Sequence, residues 1–275
     1  MGEVMGIGRA TAILLCSMAC LAACAQQAKK AEPVAVAVNL SPEEQEWVRK
    51  GDVAKALGKK AEAIEAYEQA AGASHGAVRA HLELAEIYAN QGEAQKSLDI
   101  LTRAHALNPS DSEVLKELSY RSLEQGKDAQ AESYVDKGLA ISPDDVRLLS
   151  AKGILFDRKG QHTEAQAQYQ KALAASPASK EAEPVTNNLA LSLIASGKAS
   201  KAVSLLEVRI ANAREKTTFR QTLALAYGVS GDEAKAREFG KRDLSESAVN
   251  ENLEFYRRYR AGEIDPNILF QTSAR

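Results

Sequence analysis

Small and large apolar residues return along this chain at a fixed spacing, punctuated by glycine. Gly58, Gly92, Gly126, Gly160, Gly197 and Gly231 are separated by 34, 34, 34, 37 and 34 residues, a period that belongs to stacked helix pairs and not to strands. Five residues beyond each glycine stands Ala63, Ser97, Ala131, Ala165, Ala202 or Ala236, and four further on Tyr67, Leu101, Val135, Tyr169, Leu206 or Gly240. Ala70, Ala104, Gly138 and Ala172 follow three later in the first four units, and Pro109, Pro143 and Pro177 close three of them. Each position has a mechanical reason. The glycine takes the left-handed conformation that ends the first helix of a pair (helix A), and the small residue lets the second (helix B) approach it. The larger residue fills the space between them. Proline cannot continue helix B and fixes the turn into the next pair.

These positions, with Trp47, Gly51, Leu84, Tyr88, Leu118, Gly153, Phe156, Leu189, Leu193, Leu223 and Tyr227, resemble the tetratricopeptide repeat over roughly residues 41 to 244. The expected fold is all-α, a solenoid of about six helix-turn-helix repeats. Ser41-Pro42-Glu43-Glu44 predicts the first helix start through a capping serine, a proline at the first helical position and a returning glutamate, and Ser110 with Glu113 predicts a second capping box. Three extra residues near 178–184 predict a kink or a longer turn. Ser245 can cap one more helix whose Val249, Leu253 and Tyr256 share a face. A terminal repeat has no neighbour, so this helix is expected to cover it, giving a solenoid over 41–261 and a tail over 262–275. Arg257, Arg258 and Arg260 then form either a solvated helix end favoured by the dipole or a patch for a partner or anionic lipid.

The amino terminus breaks the pattern. Arg9 precedes an apolar run from Ala10 to Ala25, shorter than the ~20 residues a spanning helix needs and suited to a secretory signal. Met1 and Met5 are both open as the start. The run ends Leu21-Ala22-Ala23-Cys24, which resembles the bacterial lipobox, so residues 1–23 are expected as a lipoprotein signal peptide and Cys24 as the acylated first residue of the mature chain. An ordinary signal peptide with Cys24 incidental is the alternative. Acyl chains contribute ~0.8 kcal/mol per buried methylene, so more than one holds a protein on a bilayer stably. Ala25 and Gln26 stand where an Asp would retain a lipoprotein at the inner membrane; the likeness to sorted lipoproteins implies the periplasmic face of the outer membrane. Residues 24–40 carry no sustained helical pattern and are expected as a flexible tether.

Composition removes several classes of function. Lys plus Arg (35) nearly balances Asp plus Glu (37), for a net charge of −2, so no field is present to hold nucleic acid. All three cysteines, Cys16, Cys20 and Cys24, precede the repeats, which excludes a disulfide framework or cysteine nucleophile in the body. His75, His81, His105 and His162 have no metal-ligand spacing and are expected in surface or packing roles. No phosphate-binding loop and no nucleophile beside a base occurs. The chain is therefore read as a non-enzyme with no cofactor, metal or small-molecule substrate.

A repeat array of this kind offers a groove lined by helix A. The register places Arg79, Glu86 and Asn90 there in the second unit, Lys116, Tyr120 and Leu123 in the third, and Arg147, Ile154 and Asp157 in the fourth. Asn187, Leu191, Ile194, Gln221 and Leu225 continue the row in the fifth and sixth. Its carboxyl end is apolar, open to a partner or buried beneath the terminal helix, burial being favoured because exposed apolar patches are uncommon.

The carboxyl third adds more than generic repeats. Asn188-Leu189-Ala190-Leu191-Ser192-Leu193, Arg220-Gln221-Thr222-Leu223-Ala224-Leu225-Ala226-Tyr227, Asp243-Leu244-Ser245 and Val249 to Tyr256 resemble the TadD family, tetratricopeptide-repeat lipoproteins of tight-adherence (Tad/Flp) pilus assembly. The family usually has Asn where Thr222 stands, and a less acidic neighbourhood around Phe255-Tyr256. The resemblance implies a pilotin-type outer-membrane lipoprotein whose partner is the secretin subunit of the pilus machine. A scaffold or regulator of peptidoglycan enzymes uses the same fold and anchor and is the alternative.

Overall fold

The computed structural model describes residues 40–73, 77–210 and 216–271. The expected signal peptide, Cys24, nearly all of the expected tether and His75 lie outside the described residues. Helices follow one another in pairs: α1 (Pro42–Ala56) with α2 (Lys60–Ala73), α3 (Val78–Asn90) with α4 (Ala94–Leu107), and α5 (Ser112–Glu124) with α6 (Asp128–Ile141). Next come α7 (Val146–Arg158) with α8 (His162–Ala175), α9 (Ala182–Ala195) with α10 (Ala199–Ile210), α11 (Lys216–Ser230) with α12 (Glu233–Gly240), and a last helix, α13 (Glu246–Arg260). A 3-10 turn, Pro266–Leu269, follows. The described residues contain no strand, and they fall into two compact units, one ending at Pro143 and one beginning at Asp144.

All six glycines of the 34-residue period have positive φ, and so does Gly262. At Gly58 the turn closes with Gly58 N–H donating to Lys55 O and Lys59 N–H to Ala54 O, the paired bonds that satisfy the last carbonyls of a helix. The small residues five places on are all buried. Ser97 is the one that is not alanine, and its hydroxyl donates to Ala85 O at 2.7 Å, so the extra polar atom is satisfied inside the helix pair.

In the unit ending at Pro143, one core cluster joins α1, α2 and α3 through Val48, Ala63, Tyr67, Leu84 and Tyr88, and a second joins α3, α4 and α5 through Val78, Leu98, Leu101, Val114 and Leu118. Gly51 permits the first: a Cβ there would lie 2.5 Å from the Tyr67 ring. Ser41 caps α1 as expected, its hydroxyl accepting from Glu44 N while the Glu44 carboxylate accepts from Ser41 N at 2.7 Å. The start of α5 differs. Its cap is Asp111, whose carboxylate accepts from Val114 N at 3.0 Å; the helix begins one residue later than the Ser110 box supposed, because Asp supplies the charged acceptor there.

In the unit beginning at Asp144, α9 is central. Every residue from Val185 to Ala195 is buried. The extra residues near 178–184 form a longer turn ahead of α9, with Pro184 in its first turn. Helix α12 is short and ends at Gly240, against which Val249 of α13 packs. Val249, Leu253 and Tyr256 bury the expected face of α13 on α11 and α12, and Ser245 caps it by accepting from Ala248 N. The arginine cluster at its end is used internally: Arg257 reaches the Glu233 carboxylate at 2.6 and 3.0 Å, Arg260 reaches Gly228 O at 3.2 Å, and Arg258 pairs with Glu263 at 3.1 Å.

Residues 262–271 depart from the expected tail. Gly262 turns the chain, Asp265 caps the 3-10 turn by accepting from Asn267 N, and Leu269 and Phe270 are buried. Two adjacent large apolar side chains are enough to hold so short a segment against the helices.

Candidate partner-binding site

In the unit ending at Pro143, α1 and α3 present a polar, charge-paired row. Arg79 Nη2 lies 2.8 Å from Asp52 Oδ2, and Lys55 bonds both Glu83 and Glu86, the latter at 2.7 Å. Burial opposes the charge of Lys55, but the two glutamates outweigh it and raise its pKa. Asp52 also accepts from the Tyr67 hydroxyl at 2.9 Å, which ties this surface to the core ring beneath it. On α5, Lys116 pairs with Glu113 at 2.5 Å, and Arg121 is held by Glu117 and Glu124. A segment binding here would meet alternating charges with fixed partners, which selects by complementarity.

In the unit beginning at Asp144, the row is closed. Asp157, on the last turn of α7, has no exposed surface and accepts three bonds: from Tyr169 Oη at 2.9 Å, from Ser192 Oγ at 2.7 Å and from His162 Nδ1 at 2.8 Å. Burial pushes its carboxyl upward against the lowering effect of those three donors. Asn187 accepts from Thr222 Oγ1 at 2.7 Å between α9 and α11. Arg220 grips Asp243 through two nitrogens, with Nε at 2.6 Å, and Gln221 Nε2 reaches the same carboxylate at 3.3 Å. The Arg220 bonds hold the Asp243 carboxyl below its usual range despite partial burial. The carboxyl-terminal turn lies at the end of α7 and the turn into α8: Arg158 Nε donates to Phe270 O at 3.2 Å, and the His162 and Phe270 rings stand 5.7 Å apart.

The expected groove residues therefore divide. Arg79 and Asn90 are exposed, and Glu86, Lys116, Arg147 and Gln221 are partly so. Tyr120, Leu123, Ile154, Asp157, Asn187 and Leu191 are buried and form no open groove wall. In the unit beginning at Asp144 the A helices α7, α9 and α11 also pack side by side, so large side chains on the row fill those junctions; α7 and α9, like α5 in the other unit, are buried over most of their surfaces. At the apolar carboxyl end Leu191, Ile194 and Leu225 are buried; α13 packs on α11 and α12, and the 3-10 turn Pro266–Leu269 meets α9. His81 packs with Nδ1 3.0 Å from Ala77 O, and His105 stands edge-on to Tyr134. The polar cluster around Asp157 carries no sequence signal, since its members are scattered over 157, 162, 169 and 192. Among the described residues no group of His, Cys, Asp or Glu is placed to hold a metal, and no helix is long and apolar enough to cross a membrane.

Two tetratricopeptide-repeat family models match the chain, one over residues 48–112 and one over residues 147–261. No curated protein matches it. Among solved structures, a tetratricopeptide repeat protein from Parabacteroides merdae is 15% identical over 79% of this chain and 100% of its own, with a TM-score of 0.51. Pseudomonas aeruginosa pilF is 17% identical over 68% of this chain and 87% of its own, at 0.55. A chain of the APC/C hetero-tetramer Cut9-Hcn1 is 17% identical and reaches 0.66, over 88% of this chain and 47% of that one. Likeness at these identities is one of fold. The protein is an all-α tetratricopeptide-repeat solenoid, and repeats of this class are scaffolds for contact between proteins.

Proposed function

We propose that the protein is a lipid-anchored periplasmic adaptor at the outer membrane that helps the secretin subunit of a Tad/Flp pilus machine to assemble. The observation that carries this reading is a conjunction in one chain: the lipobox-like Leu21-Ala22-Ala23-Cys24 ahead of a repeat array whose carboxyl third resembles TadD. The mechanism is tethered capture. An acylated Cys24 confines the helix-A row near the membrane and so raises the effective concentration of a partner there. The charge-paired row of Asp52, Lys55, Arg79 and Glu86 then supplies selectivity, and no step of this role requires a cofactor or a reaction.

Membrane fractionation of cells carrying Cys24→Ala tests the reading. The variant is expected in the soluble periplasmic fraction, with secretin multimers depleted from the outer membrane. Normal multimers in that strain reject it. Deletion that alters cell shape and leaves piliation intact would instead favour a regulator of peptidoglycan enzymes.

A further inference from the structure

The carboxyl-terminal turn lies away from the place where a cap is needed. Closing the last repeat requires only α13, which covers α11 and α12. The segment after Gly262 runs on to α9, α7 and the start of α8, two repeats back: Arg158 Nε donates to the Phe270 carbonyl, Phe270 faces the His162 ring, and Asn267 lies against Gly160. Both sides of the contact are built independently. On the receptor side, His162 is fixed by Asp157, itself held by Tyr169 and Ser192. On the ligand side, Asp265 accepts from Asn267 N–H through its carboxylate and from Ile268 N–H through its carbonyl, while Phe270 N–H donates to Asn267 O. A preorganised receptor and a self-supporting turn that meet through a side-chain bond to a backbone carbonyl and two buried apolar side chains are the makings of an exchangeable peptide complex.

We propose that this position on α7–α9 is a peptide-docking site, held shut in cis by the chain's own Pro266–Phe270, and that its partner in trans is a protein segment with a proline-initiated turn followed by an adjacent aliphatic and aromatic pair. Arg158 reads a backbone carbonyl, which any peptide carries; the apolar pair supplies the selectivity. The proposal rests on the adaptor reading only in its broad form, a scaffold that binds protein segments, and not on the secretin.

The test uses the intact chain carrying Leu269→Ala with Phe270→Ala, which loosens the internal occupant, and a fluorescent peptide spanning Glu263–Gln271. Anisotropy should show saturable binding to this variant, at least about 10-fold tighter than to the wild-type chain, where the tethered segment competes at about millimolar effective concentration. An unlabelled peptide of unrelated flanks that keeps Pro-x-x-Leu-Phe should displace it, and a scrambled one should not. Equal binding to both chains, or failure of the Pro-x-x-Leu-Phe peptide to compete, overturns the proposal. So does loss of the helical circular dichroism of the variant, since an exchangeable occupant leaves the body folded, and so does a wild-type dimer made by exchanging the segment between copies. None of these outcomes moves the Cys24→Ala result, so the two readings fail separately.

Discussion

Gly153→Ala loads the structure heavily for one added carbon. A Cβ at this position would enter the Tyr169 ring, with Cζ at 2.7 Å and Cδ1 at 2.8 Å, and Tyr169 has no exposed surface into which to move. Overpacking of this kind costs about 1–3 kcal/mol. A displaced ring also withdraws its hydroxyl from the buried Asp157 carboxylate, and a lost bond to a charged group costs about 1.5–3 kcal/mol. Replacing glycine by alanine inside a helix returns roughly 0.5–1 kcal/mol. The net expectation is a loss of about 2–5 kcal/mol, seen in urea unfolding of the intact chain by far-ultraviolet circular dichroism as a midpoint lower by about 1 M or more. Two controls isolate the cause. Tyr169→Phe keeps the ring and removes only the hydroxyl, so about 1.5–3 kcal/mol is expected. Gly72→Ala lies on the exposed face of α2 with nothing near its would-be Cβ and should be neutral or stabilise by up to about 1 kcal/mol. A Gly153→Ala chain as stable as wild type, or equal losses at Gly72 and Gly153, would refute the reasoning.

Tyr120→Ala should destabilise by about 3–5 kcal/mol in the same assay, as a buried aromatic does, whereas Arg79→Ala on the exposed row should stay within about 1 kcal/mol. Ser41→Ala removes the hydroxyl half of the reciprocal cap on α1 and leaves the backbone N–H of residue 41 to the Glu44 carboxylate; it should cost about 0.5–2 kcal/mol, with loss of protection in amide exchange confined to the first turn. Asp243→Asn tests linkage. The Asp243 carboxyl is held below its ordinary value of 3.8, so its contribution is present above that pH and is lost as pH falls through the lower folded value. The variant should lose about 1 kcal/mol at pH 7, after allowance for solvent screening, and match wild type in strong acid; a difference that persists there contradicts the assignment.

The repeat was legible because its period is carried by residues with a mechanical duty. Gly58 and its five counterparts must take positive φ, and Ala63, Ala131 and Ala165 must be small where two helices meet, so these types recur whatever the partner. The cap at α13 was legible for the same reason, from Ser245 and one apolar face. Exposure along the helix-A row was not. Tyr120 and Ile154 stand in the same register as Glu86 and are buried where Glu86 is partly exposed; whether a side chain faces solvent depends on the side chains packed around it, which register does not encode. The carboxyl-terminal turn was missed because Asp265–Phe270 is too short to show a period; the pairing of Asp265 as cap with Pro266 was its one local signal. The acceptor cluster at Asp157 was hidden by distance along the chain, since Tyr169 and Ser192 reach it from two other helices.

The central claim is that the helix-A row of a membrane-anchored scaffold meets a secretin subunit, and site-specific photocrosslinking in intact cells reads this contact directly. A photoreactive residue in place of Arg79 or Asn90, both exposed on α3, should give an adduct containing the secretin, while the same group in place of Glu65, exposed on helix B of the first pair, should give none. Adducts of equal yield at all three positions, or a secretin that is present and captured at none of them, would contradict the account.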